Sequence, residues 1–433
     1  MTGPRLRHTP GSSWPAGTWV RHRARMDTER WFDTQSMRSS MTAPHEELRA
    51  LRRSLDARQI ARATEVLGHS LRETGGLESE RGARLLALTR PEVIWSLARY
   101  HGVSGLVYQR LQSLAGAPES LLAPLRSDFQ ASVHRHLRST WELSQLKPML
   151  DGTGVPWAVV KGPAAVELLY GGRGGRLYHD LDVLVDPSGF SQVLAALEAN
   201  GLQQLDRNWA VLRREMRGEV HYRGASPLEI DLHWNLINMY RGRFRMPTRE
   251  LLQRAVVVHL AGVEVCTLDP TDSLIHLCLH AAISGGDRIM WLKDIERAVT
   301  VRTPVWDDVV SRSRRWNVAA PVGLMLSRSA QFLGAQLPAG LIRDLISPGA
   351  MRLIRAVDRL FPWQRALGRL TSPNRLMARS IGQGPVRGAV WLVVRSIRNL
   401  DPDQERASSS FTPGGTEGDR AAFIESVMAS EAD

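Results

Sequence analysis

One short segment, "HDLDVLV" at residues 179–185, restricts the fold of this 433-residue chain more than any other. Asp180 and Asp182 stand two positions apart at the start of an apolar run. Because successive side chains of a strand point to opposite faces, both carboxylates project from the same face. Neighbouring carboxylates repel each other, and a hard divalent ion such as Mg2+ is the usual partner of paired oxygen ligands. The segment therefore predicts a buried strand that begins at a metal site.

A second segment, "LEIDLHW" at residues 228–234, alternates in the same way and puts Glu229, Asp231 and His233 on one face. If this strand lies beside the first one in a sheet, Asp231 joins the two earlier aspartates at one edge. Three carboxylates there would hold two divalent metals, which can clamp the phosphates of a nucleotide and lower the pKa of an attacking hydroxyl. We therefore expect phosphoryl chemistry, with Glu229 as the substitute if Asp231 is not the third ligand.

A phosphate-binding element is expected just before these strands. "VPWAVVKG" reads as a short strand that ends at Lys161 and Gly162, and Pro163 suits the first turn of the following helix. Gly162 would let a phosphate approach backbone N–H groups at the helix N-terminus. Lys161, which is one of only three lysines in the chain, and Arg176 would supply positive charge to the same region. We therefore expect Lys161, Gly162 and Arg176 to bind the nucleotide.

The remaining periodicity divides the chain into five parts and predicts an α+β fold. Residues 1–45 lack a sustained period and are expected to be a disordered extension, whereas 46–150 carry helical spacing. Residues 151–247 contain the order strand, helix, strand, helix, hairpin, and form the catalytic core. Residues 248–400 return to helices, and 401–433 read as a disordered tail. The prediction is a small mixed sheet flanked by N-terminal and C-terminal helical regions.

The amino-acid composition limits the binding partners and the cellular location that are expected for the chain. The formal net charge is +12, but almost all of the positive charge is arginine, which weakens any argument for nucleic-acid binding from charge alone. Cys266 and Cys278 are too few for a disulfide framework and lack zinc-site spacing, which indicates a reducing, cytoplasmic location. No apolar run approaches the roughly 20 residues of a membrane helix, so no stable membrane insertion is expected.

Several motifs together resemble the nucleotidyltransferase superfamily related to DNA polymerase β, and in particular an uncharacterised bacterial group, nucleotidyltransferase family 5. The similar segments are "VVKG", "GRLYHDLDVLV" and "EIDLHW", with "LARYHGVSGLVYQRL" before them and "LIHLCLHAA" and "RIMWLKDIERA" after them, so the resemblance covers roughly residues 90–300. It implies a fold of nucleotidyltransferase type, with Asp180, Asp182 and Asp231 as ligands of Mg2+ or Mn2+ and Gly162 near the triphosphate.

The chain departs from the superfamily pattern at one place. The superfamily has Gly-Ser after its first strand, whereas this chain has Lys161-Gly162 followed by Pro163. The usual hydroxyl contact to a phosphate is therefore missing.

The main hypothesis is an Mg2+-dependent enzyme that transfers a nucleoside monophosphate from an NTP to an unidentified acceptor, which could be a small molecule, a peptide, a protein or an RNA. Asp180 and Asp182 would hold both metals, and Asp231 would bind the catalytic metal and help to deprotonate the acceptor. The missing serine leaves open a non-catalytic nucleotide-binding or partner-binding module on the same fold. A third possibility is a glycosyltransferase, because Asp-x-Asp also binds sugar nucleotides.

Overall fold

The structure, a computed structural model, describes residues 57–73, 76–114, 116–224, 226, 228–237, 244–367, 372–381 and 410–430. The N-terminal extension predicted at residues 1–45 lies outside these residues.

Helices begin and end where the sequence supplies caps. The side chain of Asp269 accepts a hydrogen bond from the backbone N–H of Asp272, and Gly102 ends a helix in the left-handed conformation at φ 71°. In chain order, the described helices are α1 (Ala57–Leu71), α2 (Glu80–Ala87), α3 (Pro91–His101), α4 (Ser104–Leu111), α5 (Glu119–Asp151), α6 (Pro163–Tyr170), α7 (Phe190–Ala199), α8 (Trp209–Glu215), α9 (Thr248–Gln253), α10 (Pro270–Ser284), α11 (Ile289–Val301), α12 (Trp306–Arg315), α13 (Ala319–Leu333), α14 (Leu341–Leu345), α15 (Pro348–Leu360), α16 (Trp363–Ala366), α17 (Pro373–Ser380) and α18 (Glu417–Met428).

Seven strands of the described residues form one mixed sheet, in the spatial order β3-β4-β5-β2-β1-β7-β6. They are β1 (Trp157–Val159), β2 (Asp180–Val185), β3 (Gln203–Gln204), β4 (Glu219–Arg223), β5 (Glu229–His233), β6 (Val256–Leu260) and β7 (Val263–Thr267). Strand β2 pairs with β5 in parallel and with β1 in antiparallel orientation, and β4 and β5 form the predicted antiparallel hairpin. The α+β fold and the placement of the two acidic strands side by side are therefore confirmed.

The two faces of the sheet enter different hydrophobic cores. Leu181, Val183 and Ile230 pack against the C-terminal part of α5 and against α7. On the opposite face, Leu184 joins a larger core built from the N-terminal and C-terminal helices. Because Asp182 and Leu184 share a face by strand alternation, the acidic positions lie on the side that the helical regions cover. No helix among the described residues is long and apolar enough to cross a membrane.

Part of the chain that was predicted to be a disordered tail is folded. Residues 410–430 include α18, which begins with a reciprocal cap between Thr416 and Asp419. Phe423 of this helix is fully buried and meets Phe190 and Trp209 with ring centroids 6.3 and 6.0 Å away. The prediction of disorder was wrong for this stretch. Its average composition is polar, but Phe423 and Val427 are buried, and backbone hydrogen bonds join Ser410 and Gly414 to residues 207–209.

The structure also adds strands where the sequence analysis placed only helices. Strands β6 and β7 follow residue 247 and form a hairpin, and β7 pairs in parallel with β1 through Val159 and Thr267. Thr267 fixes this junction because its hydroxyl donates a hydrogen bond to the carbonyl of Val159 at 2.6 Å.

Candidate active site

The register of the central strands gathers polar side chains on one face of the sheet. Asp182 of β2 lies opposite Asp231 of β5. Across the hairpin, Asp231 lies opposite His221, and His233 lies opposite Glu219. Three neighbouring strands therefore contribute ionisable groups to one acidic patch, which consists of Asp182, Asp231, His221, His233 and Glu219. The alternate residues of these strands are apolar and buried on the other face.

Asp182 is the best-supported group of this patch. The residue is 2% exposed. Its Oδ1 atom lies 2.8 Å from Nζ of Lys161 and accepts a hydrogen bond from Nε2 of His233 at 3.0 Å. On the far side of the imidazole, Nδ1 of His233 lies 3.3 Å from an oxygen of Glu219. Asp182 is thereby fixed in orientation by two cationic or cation-forming partners.

The contacts among Asp182, Lys161 and His233 set the charges of Asp182 and Lys161. Burial raises the pKa of Asp182, but the ammonium of Lys161 and the His233 hydrogen bond outweigh it and hold the pKa far below the usual range. Burial lowers the pKa of Lys161, but Asp182 and Asp180 overcome this effect and raise it. Lys161 and Asp182 are therefore a charged pair at neutral pH.

In contrast to Asp182, the other two aspartates, Asp231 and Asp180, have raised pKa values. Burial, and then the carboxylate of Asp180, raise the pKa of Asp231 to about 8. Burial, and then the carboxylate of Asp182, raise the pKa of Asp180 to about 6. These two carboxyls resist ionisation because the nearby cationic side chains do not balance the charge of three buried carboxylates. A bound divalent cation would supply the missing positive charge.

The donor atoms fit such a cation. Asp182, Asp231 and His233 each offer one ligand atom, and these atoms lie within 4.8 Å of one another. Asp180 is not part of this group, although it stands two residues from Asp182 on the same strand face. Because His233 already donates to Asp182, its imidazole can also act from behind the carboxylate and orient it toward an ion.

A second histidine supports the third carboxylate. His221 is held by Asp206, whose carboxylate accepts from both the backbone N–H of His221 at 2.6 Å and Nδ1 at 2.9 Å. Nε2 of His221 then lies 3.9 Å from Asp231. Burial lowers the pKa of His221, but the hydrogen bond and charge of Asp206 raise it to about 9. Asp231 therefore faces an imidazolium at neutral pH.

Gly162 occupies the position predicted for a phosphate-binding glycine, between β1 and α6. Its backbone is at φ 52° and ψ −116°, which side-chain-bearing residues rarely adopt. A Cβ atom at this position would lie 3.0 Å from the carbonyl oxygen of Asp180 and 3.4 Å from the Tyr178 ring. The glycine thus brings the start of α6 against the acidic strand, with Lys161 immediately before it.

Arg176 is the third predicted nucleotide contact, but two of its nitrogens already donate hydrogen bonds to another side chain. Nε and Nη2 donate to both carboxylate oxygens of Asp294 at 2.7–3.1 Å, and Tyr170 donates to the same carboxylate at 2.8 Å. Only Nη1 is buried without a hydrogen-bond partner in the described structure. Its contact with a phosphate stays a prediction, and its observed contacts tie the loop before β2 to α11.

Sequence reasoning missed Glu219, His221 and Asp206. The first two were detectable, because "EVHYR" at residues 219–223 alternates in the same way as the acidic strands and directly precedes "LEIDLHW", with which it forms the hairpin. Asp206 lies in an irregular segment, and no spacing connects it to the hairpin. A further cation, Arg135 of α5, was also missed. Burial lowers its pKa, and the carboxylate of Asp180 is close enough to oppose part of that lowering.

Comparison with models of protein families gives a match. The model of a family described as an uncharacterised nucleotidyltransferase matches residues 89–334, more than half of the chain. The matched range includes all seven strands and every residue of the acidic patch. No curated protein and no solved structure matches the chain.

Proposed function

The chain belongs to the family of uncharacterised nucleotidyltransferases, and from this premise we propose that it transfers a nucleoside monophosphate from an NTP to an acceptor in a reaction that depends on Mg2+ or Mn2+. The observation that carries the proposal is the register of β2 and β5, which sets Asp182 opposite Asp231. Lys161 lies against Asp182 and Gly162 lies against the backbone of Asp180, which supports a role for this pair in holding the polyphosphate beside the metal.

Several residues of the patch have distinct roles in this proposal. Asp182 and Asp231 bind the metal together with Asp180, and His233 orients Asp182. Lys161 neutralises Asp182 and adds positive charge beside the triphosphate, while the N–H groups at the start of α6 approach a phosphate past Gly162. The bound cations would neutralise charge on the transferring phosphoryl group and lower the pKa of the acceptor hydroxyl.

Asp231 is the proposed base for the acceptor. A bound divalent cation would lower the pKa of this carboxyl from about 8 and leave it as a carboxylate, which can accept the proton of the acceptor. His221 stands on the far side of Asp231 and can stabilise its ionised form. The acceptor itself, whether a small molecule, a peptide, a protein or an RNA, would bind against the helices that cover this face.

The test is thermal stabilisation by each of the four NTPs with Mg2+ or Mn2+. Wild type is compared with an Asp180→Asn, Asp182→Asn double variant, and Glu264→Gln serves as a control because it removes an exposed carboxylate from β7, in the same sheet. A nucleotide at about 100 times its dissociation constant adds roughly 2.7 kcal/mol of stability. We expect metal-dependent stabilisation of wild type and of the control, and none of the double variant.

Pyrophosphate release separates catalysis from binding. Incubation with the stabilising NTP and cell extract fractions should release pyrophosphate with wild type and with Glu264→Gln, but not with the double variant. No stabilisation by any NTP in a folded protein would refute nucleotide binding. Stabilisation without pyrophosphate release in any fraction would support the non-catalytic alternative, which the Lys161-Gly162-Pro163 sequence favours because it lacks the usual hydroxyl.

A further inference from the structure

The C-terminal segment, residues 410–430, lies outside the range that the family model matches, yet it is fixed beside the acidic patch. Ser410 is fully buried, and its carbonyl oxygen accepts hydrogen bonds from the backbone N–H groups of Arg207 and Asn208 at 2.6 and 2.9 Å. These two donors directly follow the carboxylate that holds His221. The segment is therefore attached to the chain at the point that supports the patch.

The side chain of Ser410 acts on that carboxylate, Asp206. Its hydroxyl accepts a hydrogen bond from Nη1 of Arg217 at 3.1 Å. Burial raises the pKa of Asp206, but the hydrogen bond and charge of His221 lower it, and the Ser410 hydroxyl is close enough to lower it further. Because Asp206 is only 3% exposed, protein groups rather than solvent orient it. Ser410 is one of those groups.

The next residue, Phe411, packs on the imidazole of His221. The two ring centroids are 5.1 Å apart, and the ring planes are inclined by 45°. Asp206 holds the same imidazole at Nδ1, and Nε2 on its other side lies 3.9 Å from Asp231. An imidazole that is packed on an aromatic ring and hydrogen-bonded at one nitrogen has little freedom to turn. Phe411 therefore helps to keep Nε2 directed at the carboxylate of Asp231.

The C-terminal segment contacts both faces of the sheet. Phe423 of α18 belongs to the core on the apolar face of β4 and β5. Phe411 meets His221 on the opposite face, which carries the acidic patch because the register sets His221 opposite Asp231. Helix α18 thus anchors the segment on one side of the sheet, and residues 410 and 411 support the candidate site on the other.

We propose that Ser410 and Phe411 are positioning residues of the candidate active site. They act through Asp206 and His221, which hold the carboxylate of Asp231 where it can bind a divalent cation. The inference rests on the proposed function, because that function assigns Asp231 to the metal. Groups behind a metal ligand orient it, and their loss commonly lowers metal affinity by about 10–100-fold. A segment outside the family range is then part of the active site of this chain.

Calorimetric titration of the full chain with Mn2+, without nucleotide or acceptor, tests the proposal. The Ser410→Ala, Phe411→Ala double variant removes the hydroxyl and the ring but leaves every charge of the patch in place, so a change in affinity reports the position of the ligands. We expect its dissociation constant for Mn2+ to rise about tenfold, and that of Phe411→Ala alone about threefold. Phe411→Tyr keeps a ring against His221 and should stay within about twofold of wild type.

Two control variants in α18 separate positioning from general destabilisation. Phe423→Leu weakens the buried anchor of the same segment, and Ser426→Ala removes an exposed hydroxyl. Both should bind Mn2+ as wild type does, although Phe423→Leu should unfold at a lower temperature. Wild-type affinity in both Phe411→Ala and the double variant, or an equal loss in Phe423→Leu, would overturn the inference and leave the proposed function standing. If wild type binds no Mn2+, the proposed metal site fails, and the inference fails with it.

Discussion

Replacing Arg176 by Met should destabilise the fold strongly, because the change leaves Asp294 buried without its cation. Asp294 is 1% exposed, and it would lose the three contacts from Arg176 and keep only the hydrogen bond from Tyr170. Removing one partner of a buried ion pair costs about 3–5 kcal/mol. We expect a decrease of that size in the free energy of unfolding, measured by urea denaturation with tryptophan fluorescence.

The neighbouring Arg173 provides a matched control. It is exposed on the same loop, so Arg173→Met should change the free energy of unfolding by no more than about 0.5 kcal/mol. The double variant Arg176→Met, Asp294→Leu removes both charges and should be about 2 kcal/mol more stable than the sum of the two single changes predicts. If Arg176→Met lowers the free energy of unfolding no more than Arg173→Met does, the ion pair between Arg176 and Asp294 does not stabilise this loop.

Three further predictions concern other parts of the molecule. In metal-free protein, Asp231→Asn should match wild type near pH 4 and be more stable near pH 8. The pKa of Asp231 is about 8 in the folded state and 3.8 for an ordinary aspartate, so the native state binds more protons between these values and wild-type stability falls as the pH rises through them. Equal pH profiles in thermal unfolding would contradict this. Gly162→Ala should cost about 1–3 kcal/mol, more than Gly171→Ala, since only the former Cβ meets the backbone of Asp180; identical losses in chemical denaturation would argue against the close approach. Phe423→Ala should cost about 3–5 kcal/mol, and a change below about 1 kcal/mol would show that α18 does not anchor the sheet core.

The acidic strands were predictable because one rule governs them. Alternation alone put Asp180 with Asp182, and Glu229 with Asp231, on single faces, and a parallel pairing of the two strands then fixed which carboxylates meet. The sequence left open whether the two strands are neighbours, their direction and their register, and the structure sets them so that Asp182, not Asp180, lies opposite Asp231.

The features that sequence reasoning missed depend on contacts between distant segments. Arg176 looked like a phosphate ligand because its carboxylate partner lies 118 residues further along, in a helix with no signal that points back to it. Asp206 reaches the patch only through His221. The β6–β7 hairpin was overlooked because its strands are short and lie between segments with clear helical periodicity. Local patterns therefore predict which faces are polar, and tertiary pairing decides which charges remain available.

The C-terminal helix also affects the order in which the protein can be completed during translation. Arg420 of α18 contacts Glu198 of α7 across 222 residues of sequence. At about 5–20 residues per second, a ribosome needs about 10–40 s to cover that interval. For this time the apolar ring surfaces of Phe190 and Trp209 lack their cover, Phe423, and are open to a chaperone or to another nascent chain.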